Sequence, residues 1–141
     1  MRVVEVDERD SAWEDDGPRF RVYLHSSGED ATFGSTATYD VTGADVLQVV
    51  DWAQRVAGED LTYAVALVRD EPRTYEAPGT PPRRGLVWLV GRDGNDVTDD
   101  DPVCADAQRR MLLRRRDPVV VPEADRAPDG VRIPGLPGFR T

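Results

Sequence analysis

Few side chains in this sequence could carry out catalytic chemistry. The chain has 141 residues with one His and one Cys, and all 18 of its basic residues are Arg. The lack of Lys excludes a Walker A lysine, a Schiff base and a lysine general base. One His and one Cys are also too few ligands for a zinc site of the usual kind. The sequence therefore predicts no metal site and no cofactor, and it favours a protein that is not an enzyme.

The two reactive side chains that are present have plain structural interpretations. His25 stands beside Ser26 and Ser27 at the end of a predicted strand, but neighbours at a turn do not form a catalytic triad. We interpret His25 as a residue that faces outward, either free on the surface or hydrogen-bonded within the turn. Cys104 lies in the first turn of a predicted helix, where three preceding aspartates would raise the pKa of its thiol. We interpret Cys104 as a small buried apolar residue.

The stretch "GRDGNDVTDDDP", residues 91–102, is rich in Asp and Asn. An EF-hand loop needs an oxygen ligand at position five and Gly at position six. Counted from Asp93, those positions hold Val97 and Thr98, so the pattern fails. We interpret the stretch as a turn followed by negative charge before a helix N-terminus, where the helix dipole favours it. A weak cation site of another kind and an acidic docking surface stay open as alternatives.

Five arginines and no acid lie between residues 109 and 116. Cations at the end of a helix complement its dipole and its last carbonyl groups. The same guanidinium groups could instead bind phosphate or an acidic protein partner through bidentate contacts. We keep three of them as candidates for a protein contact: Arg109, Arg110 and Arg114.

Several apolar side chains stand where no periodicity requires them. Trp13 lies alone in the charged stretch "DSAWEDD", and Tyr75 lies in a Pro-rich loop. An aromatic residue rimmed by polar groups can anchor a protein partner, although Trp13 could equally cover a sheet edge. The C-terminal stretch alternates Pro and Gly with apolar residues, of which three are candidate contacts with the domain itself or with another chain: Ile133, Leu136 and Phe139.

The elements that would position these residues follow from periodicity and turn signals. Residues 19–25 alternate apolar and polar side chains, which is typical of a half-buried strand. The apolar run at residues 61–70 predicts a strand buried on both faces. Thr42 and Asp101 are the predicted N-caps of two helices, the first ending before Gly58 and the second near Arg116. The remaining predicted strands are residues 3–6, 31–41 and 85–93.

These elements predict an α+β fold in the order β-β-β-α-β-β-α. The expected architecture is a mostly antiparallel sheet of about five strands with two helices, followed by an extended Pro-rich tail. We place one domain at residues 1–117 and the tail at residues 118–141. No apolar run is long enough to span a bilayer, and the N-terminal sequence predicts no secretory signal. A single Cys allows no internal disulfide, so we expect a cytoplasmic, bacterial-type protein.

The net charge of −9 argues against general binding of nucleic acids or anionic membranes. The charge is concentrated in residues 1–18, here called the acidic segment, which holds seven acids and two arginines. The absence of Lys, with only one Ile and one Asn, indicates a GC-rich genome. The stretches "YDVTGADVLQVVDWA", "YAVALV" and "GLVWLVGRDGND" resemble small uncharacterised proteins of GC-rich actinobacteria. That resemblance implies no activity, cofactor or catalytic residue.

Taken together, these features favour an acidic accessory or regulatory protein that acts through protein–protein contacts or self-association. An immunity or antitoxin-like role, in which the protein neutralises a basic partner, is one concrete form of this hypothesis. A small-molecule binder or enzyme is the alternative, with a pocket near the Pro-rich loop where Arg73, Arg83 or Arg84 would meet an anion. A structural homo-oligomer is the third possibility.

Overall fold

A computed structural model describes residues 1–71, 77–81 and 83–133 of the chain. It has an α+β fold with one four-stranded antiparallel sheet and two α-helices. The elements follow one another as β1 (Phe20–Ser26), β2 (Ser35–Val41), α1 (Val46–Ala57), β3 (Leu61–Asp70), β4 (Arg84–Val90) and α2 (Pro102–Leu113). Short 3₁₀ turns occupy Glu8–Asp10 and Glu123–Asp125.

The sheet has the strand order β2-β1-β3-β4, so β1 and β3 lie at its centre. The hairpin of β1 and β2 pairs in register from Phe20 opposite Val41 to Ser26 opposite Ser35, as the alternating sequence predicts. Strand β3 is buried at each of its first six residues, which confirms the central strand buried on both faces. Strand β4 pairs only with the second half of β3, beginning at Val65 opposite Val90.

Helix α1 covers one face of the sheet and forms the main core with it. Val22 and Leu24 of β1 and Val65 of β3 are fully buried against Val49 and Ala53 of α1. These apolar surfaces leave water together, and this burial is the principal source of stability for a domain of this size. The rings of Tyr39 and Trp52 add an edge-to-face contact between β2 and α1, with centroids 6.0 Å apart.

Helix α2 contacts the side of the sheet that Ala64 faces. Its inward residues Cys104, Ala107 and Met111 are buried. A Cβ placed on Gly91 would lie 3.0 Å from Met111 Cγ and 3.1 Å from the Ala64 Cβ, so glycine permits this close approach. The Asp101 side chain accepts a hydrogen bond from the amide of Cys104, which confirms the predicted N-cap. The helix ends at Leu113, three residues earlier than predicted.

The prediction of five strands was wrong, because the described residues contain four. The predicted first strand, residues 3–6, lies outside the sheet, and its side chains Val3, Val4 and Val6 are 83%, 60% and 70% exposed. A strand is stabilised by cross-strand pairs and by burial of one face. This short stretch has neither, since acidic residues follow it at once and no sheet edge receives it.

The prediction of Thr42 as the cap of α1 was also wrong. Gly43 has φ 69°, a left-handed conformation that stops the helix from extending back to Thr42. Asp45 is the N-cap, and its side chain accepts from the amide of Gln48 at 2.9 Å. The Gln48 side chain accepts in return from the amide of Asp45 at 3.1 Å, which completes a capping box.

Candidate interaction surface

The acidic segment lies on the surface and forms few contacts with the domain. Residues 1–17 are all exposed, and their hydrogen bonds to side chains are local: Arg9 donates to Asp7, and the Gly17 amide donates to Asp15. Trp13 is 68% exposed and stacks on Arg69 at the end of β3, whose guanidinium carbon lies 5.7 Å from the ring centroid. A large aromatic surface thus stays open to solvent while one cation–π contact holds it in place.

The arginines near the end of α2 have different surroundings. Arg109 and Arg110 are exposed and both pair with Asp106, at 2.6 Å and 3.0 Å. The Asp106 pKa is held below its ordinary value, chiefly by the hydrogen bond from Arg109. Arg114 is half-buried, near the hydroxyl of Tyr63. The three candidates therefore do not form one continuous basic surface.

The first part of the C-terminal tail, residues 118–133, packs on α1 and is here called the strap. Gln54 donates from Nε2 to the Val119 carbonyl at 2.6 Å and accepts from the Val119 amide at 3.1 Å. Asp51, only 5% exposed, accepts from the Ala127 amide at 3.0 Å and pairs with Arg55 at 2.8 Å. Polar side chains of α1, chiefly Asp51 and Gln54, thus form the docking site of the strap.

Of the predicted contact residues in the tail, Ile133 packs half-buried against the core cluster between α1 and the sheet. Leu136 and Phe139 lie outside the described residues, as do Tyr75 and Arg73 in the Pro-rich loop. The boundary between residues 1–117 and 118–141 stays a prediction.

His25 is fully buried, so the prediction that it faces outward was wrong. The loop that leaves β4 folds over its ring: the Gly94 amide donates to Nε2 at 3.0 Å, and Asp93 Oδ1 lies 3.2 Å from the same atom. Because an amide can only donate, we assign the lone pair to Nε2 and the proton of a neutral ring to Nδ1. Burial lowers the His25 pKa, and the neighbouring Asp93 opposes that shift. Sequence alone carries no signal for this closure.

The same loop is tied to the β1–β2 turn by further bonds. Thr32 donates to the Gly94 carbonyl at 2.9 Å, and the Asn95 side chain bonds the Gly34 amide at 2.8 Å. The start of the stretch at residues 91–102 is therefore structural, and Asp101 at its end caps α2. Within the part of the chain that the structure describes, no three His, Cys, Asp or Glu side chains are grouped so as to hold a metal ion.

Cys104 is 2% exposed, and burial together with nearby aspartates raises its thiol pKa. A thiol held protonated in this way is a weak nucleophile. Cys104 therefore behaves as the small buried residue that the sequence predicts.

On the face of the sheet opposite α1, alternating charges join all four strands. Arg21 donates to Asp40 at 2.7 Å, and Arg84 pairs with Asp70 at 2.8 Å. Arg19 bridges the two pairs, at 3.5 Å from Asp40 and 3.7 Å from Asp70. The hydrogen bond from Arg21 keeps the Asp40 pKa low. Arg84, a candidate anion ligand in the small-molecule hypothesis, is therefore already paired.

Several surface clefts are open in the described residues. One of about 820 Å³ lies between α1 and the strap. A second of about 680 Å³ lies beside Arg109, Leu113 and Glu29. The third, of about 270 Å³, lies where the two helices end.

No helix within residues 1–71, 77–81 and 83–133 has the length and apolar character needed to cross a bilayer. The chain finds no match among protein-family models, curated proteins or solved structures.

Proposed function

We propose that this protein is a protein–protein interaction module whose contact region is the acidic segment. The observation that supports this most is that Val3, Val4, Val6 and Trp13 are each at least 60% exposed within a segment that carries seven acids. Apolar side chains left in water among charges gain most when a partner covers them. The proposed partner is a basic protein with an apolar groove, as in an immunity or antitoxin-like pair.

The composition of the acidic segment suggests separate roles for its acidic and its apolar side chains. The acids would attract a basic partner over long distance and speed association, whereas the apolar residues would provide the buried contact. Trp13 suits the role of anchor because Arg69 already restricts its motion. The strap is a weaker candidate, since its backbone and Ile133 already bond or pack against α1.

The test is an affinity capture from a lysate of the source organism with three forms of the chain. The first is the natural chain, and the second carries Val3→Ser, Val4→Ser, Val6→Ser and Trp13→Ala. The matched control carries Val97→Ser and Val120→Ser, which alter residues that are 79% and 90% exposed elsewhere on the surface.

We expect one basic protein to be retained by the natural chain and the control at physiological salt, and to be lost with the segment variant. Equal retention by all three forms would contradict the role of the segment. Capture that vanishes at physiological salt even with the natural chain would mean nonspecific charge attraction and would contradict the interaction function.

Self-association is a second candidate function, favoured by strand β4. This edge strand exposes Val87 and Leu89 at 45% and 44%, and an apolar edge can pair with a second copy. Sedimentation velocity of the natural chain, Leu89→Lys and a control Val103→Lys tests it. A dimer lost only in Leu89→Lys supports this candidate, and a natural chain that stays monomeric as concentration rises contradicts it.

A further inference from the structure

The chain contains three Asp-Gly pairs, at residues 16–17, 93–94 and 129–130. An aspartate followed by glycine can react with the backbone nitrogen of that glycine, because glycine has no Cβ to hinder the close approach. The reaction needs no cofactor, metal or enzyme. Its rate at each pair depends on whether the glycine nitrogen and the carboxyl group are free to meet.

The reaction isomerises the aspartate in two steps. The glycine nitrogen attacks the carboxyl carbon of the aspartate side chain and forms a C–N bond. The C–O bond to the protonated hydroxyl breaks and the nitrogen loses its proton, so one water leaves and a five-membered succinimide ring remains. Water then opens the ring at either carbonyl. Opening at the backbone carbonyl gives isoaspartate, in which the chain runs through the former side chain, with no net change in mass.

The pair of Asp93 and Gly94 is closed by the fold. Gly94 is buried, and its amide donates to Nε2 of His25 at 3.0 Å. Oδ1 of Asp93 lies 3.2 Å from the same ring atom and accepts from the Asn95 amide at 2.9 Å. The loop would have to open before the two groups could react, so this pair is protected.

The pair of Asp16 and Gly17 lies in the exposed acidic segment, where its restraint is local. The Gly17 amide donates to the Asp15 side chain at 2.9 Å. A hydrogen bond between near neighbours in water has a small net free energy, so it slows the reaction only slightly. This pair therefore serves as the exposed reference.

The pair of Asp129 and Gly130 lies in the strap and is open at both reacting groups. The Asp129 side chain is 105% exposed and approaches Arg55 only at 3.5 Å. Within the described parts of the chain, the Gly130 amide has no hydrogen-bond acceptor. A Cβ placed on Gly130 would have nothing within 4 Å, so the space around this glycine is empty.

This pair lies between two points at which the strap is held. On one side, Ala127 donates to Asp51 at 3.0 Å and accepts from Arg55 at 2.9 Å. On the other side, Ile133 packs against the core cluster. Isoaspartate adds one atom to the backbone between these points and so displaces Ile133 relative to Ala127. Because close-packed contacts tolerate small displacements poorly, the altered strap fits α1 less well.

We propose that Asp129 is a site of spontaneous isoaspartate formation, and that its conversion weakens the docking of the strap on α1. This site is independent of the proposed interaction function, and either can fail without the other.

The test incubates the folded full chain for several weeks in neutral buffer and follows each pair by peptide mapping. Trypsin cleaves after Arg and places the three pairs in separate peptides, residues 10–19, 93–109 and 127–132. Isoaspartate is recognised as a second chromatographic peak of unchanged mass, and fragmentation identifies its backbone. The same incubation in urea gives the rate of each pair in the unfolded chain. The matched variant is Asp129→Glu, which keeps the charge but cannot close the five-membered ring.

We expect isoaspartate in the folded chain to form at least tenfold faster at residue 129 than at residue 93, and the rates at the two sites to become similar in urea. A folded-state rate at residue 129 as low as that at residue 93 would overturn the site.

The effect on the strap is read from limited digestion of the aged chain by a nonspecific protease. We expect molecules cut early within residues 118–133 to be enriched in isoaspartate at residue 129, and aged Asp129→Glu to be cut no faster than fresh protein. Equal isoaspartate content in cut and uncut molecules would overturn the weakening of the strap.

Discussion

The backbone amide of Gly94 donates a hydrogen bond of 3.0 Å to Nε2 of His25, which joins the loop after β4 to the end of β1. The two residues are far apart in sequence: His25 lies in the central strand β1, and Gly94 follows the edge strand β4. The bond requires a lone pair on Nε2, so the protonation state of a single buried side chain is coupled to the closure of this loop.

This coupling predicts that stability falls in mild acid. Burial lowers the pKa of folded His25 below its ordinary value of 6.5, so the unfolded chain takes up the proton first as pH falls. The stabilisation that neutral, buried His25 provides is complete above pH 6.5. Below pH 6.5 the free energy of unfolding declines by about 1.4 kcal/mol for every pH unit between the His25 pKa of the unfolded chain and that of the folded chain. Urea unfolding of the natural chain at a series of pH values measures the decline.

The control for this prediction is His25→Gln, whose side-chain oxygen can accept from Gly94 but does not titrate. Between pH 6.5 and the lower pKa of folded His25, we expect the free energy of unfolding of this variant to depend less on pH than that of the natural chain. Parallel pH profiles for the two proteins would show that another group is responsible.

A second prediction concerns Gly94 itself. A Cβ at this position would overlap the Thr32 carbonyl oxygen and lie 3.0 Å from the His25 ring. We expect Gly94→Ala to lower the free energy of unfolding by about 1–3 kcal/mol, as other overpacked sites do. Gly28→Ala is the control, because nothing lies within 4 Å of its Cβ. Equal stability of the two variants, measured by urea unfolding, would argue against tight closure of the loop.

The docking of the strap makes a third prediction. Asp51 is buried and accepts a hydrogen bond from the Ala127 amide. Asp51→Ala should therefore lower the free energy of unfolding by about 2 kcal/mol, because it leaves that amide without its partner. It should also speed proteolysis within residues 118–133. Asp129 is fully exposed and bonds Arg55 only at 3.5 Å, so Asp129→Ala should change neither property. Unchanged proteolysis in Asp51→Ala would mean that the strap is held by other contacts.

A fourth prediction separates the two candidate caps of α1. Asp45→Ala removes the acceptor of the Gln48 amide and should cost about 1 kcal/mol in the free energy of unfolding. Thr42→Ala should leave stability unchanged, because the turn at Gly43 separates Thr42 from the helix. A larger loss in Thr42→Ala than in Asp45→Ala, measured by thermal unfolding, would restore the cap predicted from sequence.

The sequence predicted the central elements well because their signals are local. Burial is indicated directly by the alternation in β1, by the continuous apolar run of β3 and by the apolar residues that cover more than half of the circumference of α1. Residues 3–6 have the composition of a strand, but no strand of the sheet pairs with them. Strand pairing depends on tertiary structure, so composition alone does not predict it. The cap of α1 was misplaced because two polar residues precede the helix and only the backbone at Gly43 decides between them.

The candidate sites were less accessible to sequence reasoning. Trp13 was identified from its charged surroundings, and the structure leaves it exposed. The burial of His25 depends on a loop that begins nearly seventy residues later, so its own neighbours gave the wrong orientation. Arg114 and Arg115 look like Arg109 and Arg110 in sequence, and only the packing of α2 distinguishes the half-buried pair from the exposed one.

The bond from Ala127 to Asp51 spans 76 residues, and this has a consequence during synthesis on the ribosome. Helix α1 leaves the exit tunnel well before residue 127 does, so its outer carboxylate stays hydrated while β3, β4 and α2 are still being added. The nascent chain can assemble the sheet with α1 in this period, but the Asp51 carboxylate on the outer side of that helix gains its partner only after residue 127 has left the tunnel. The strap is therefore expected to close after the sheet and α1 have assembled, and a ribosome stalled before residue 127 leaves the tunnel should hold an assembled sheet with α1 open to solvent on that side.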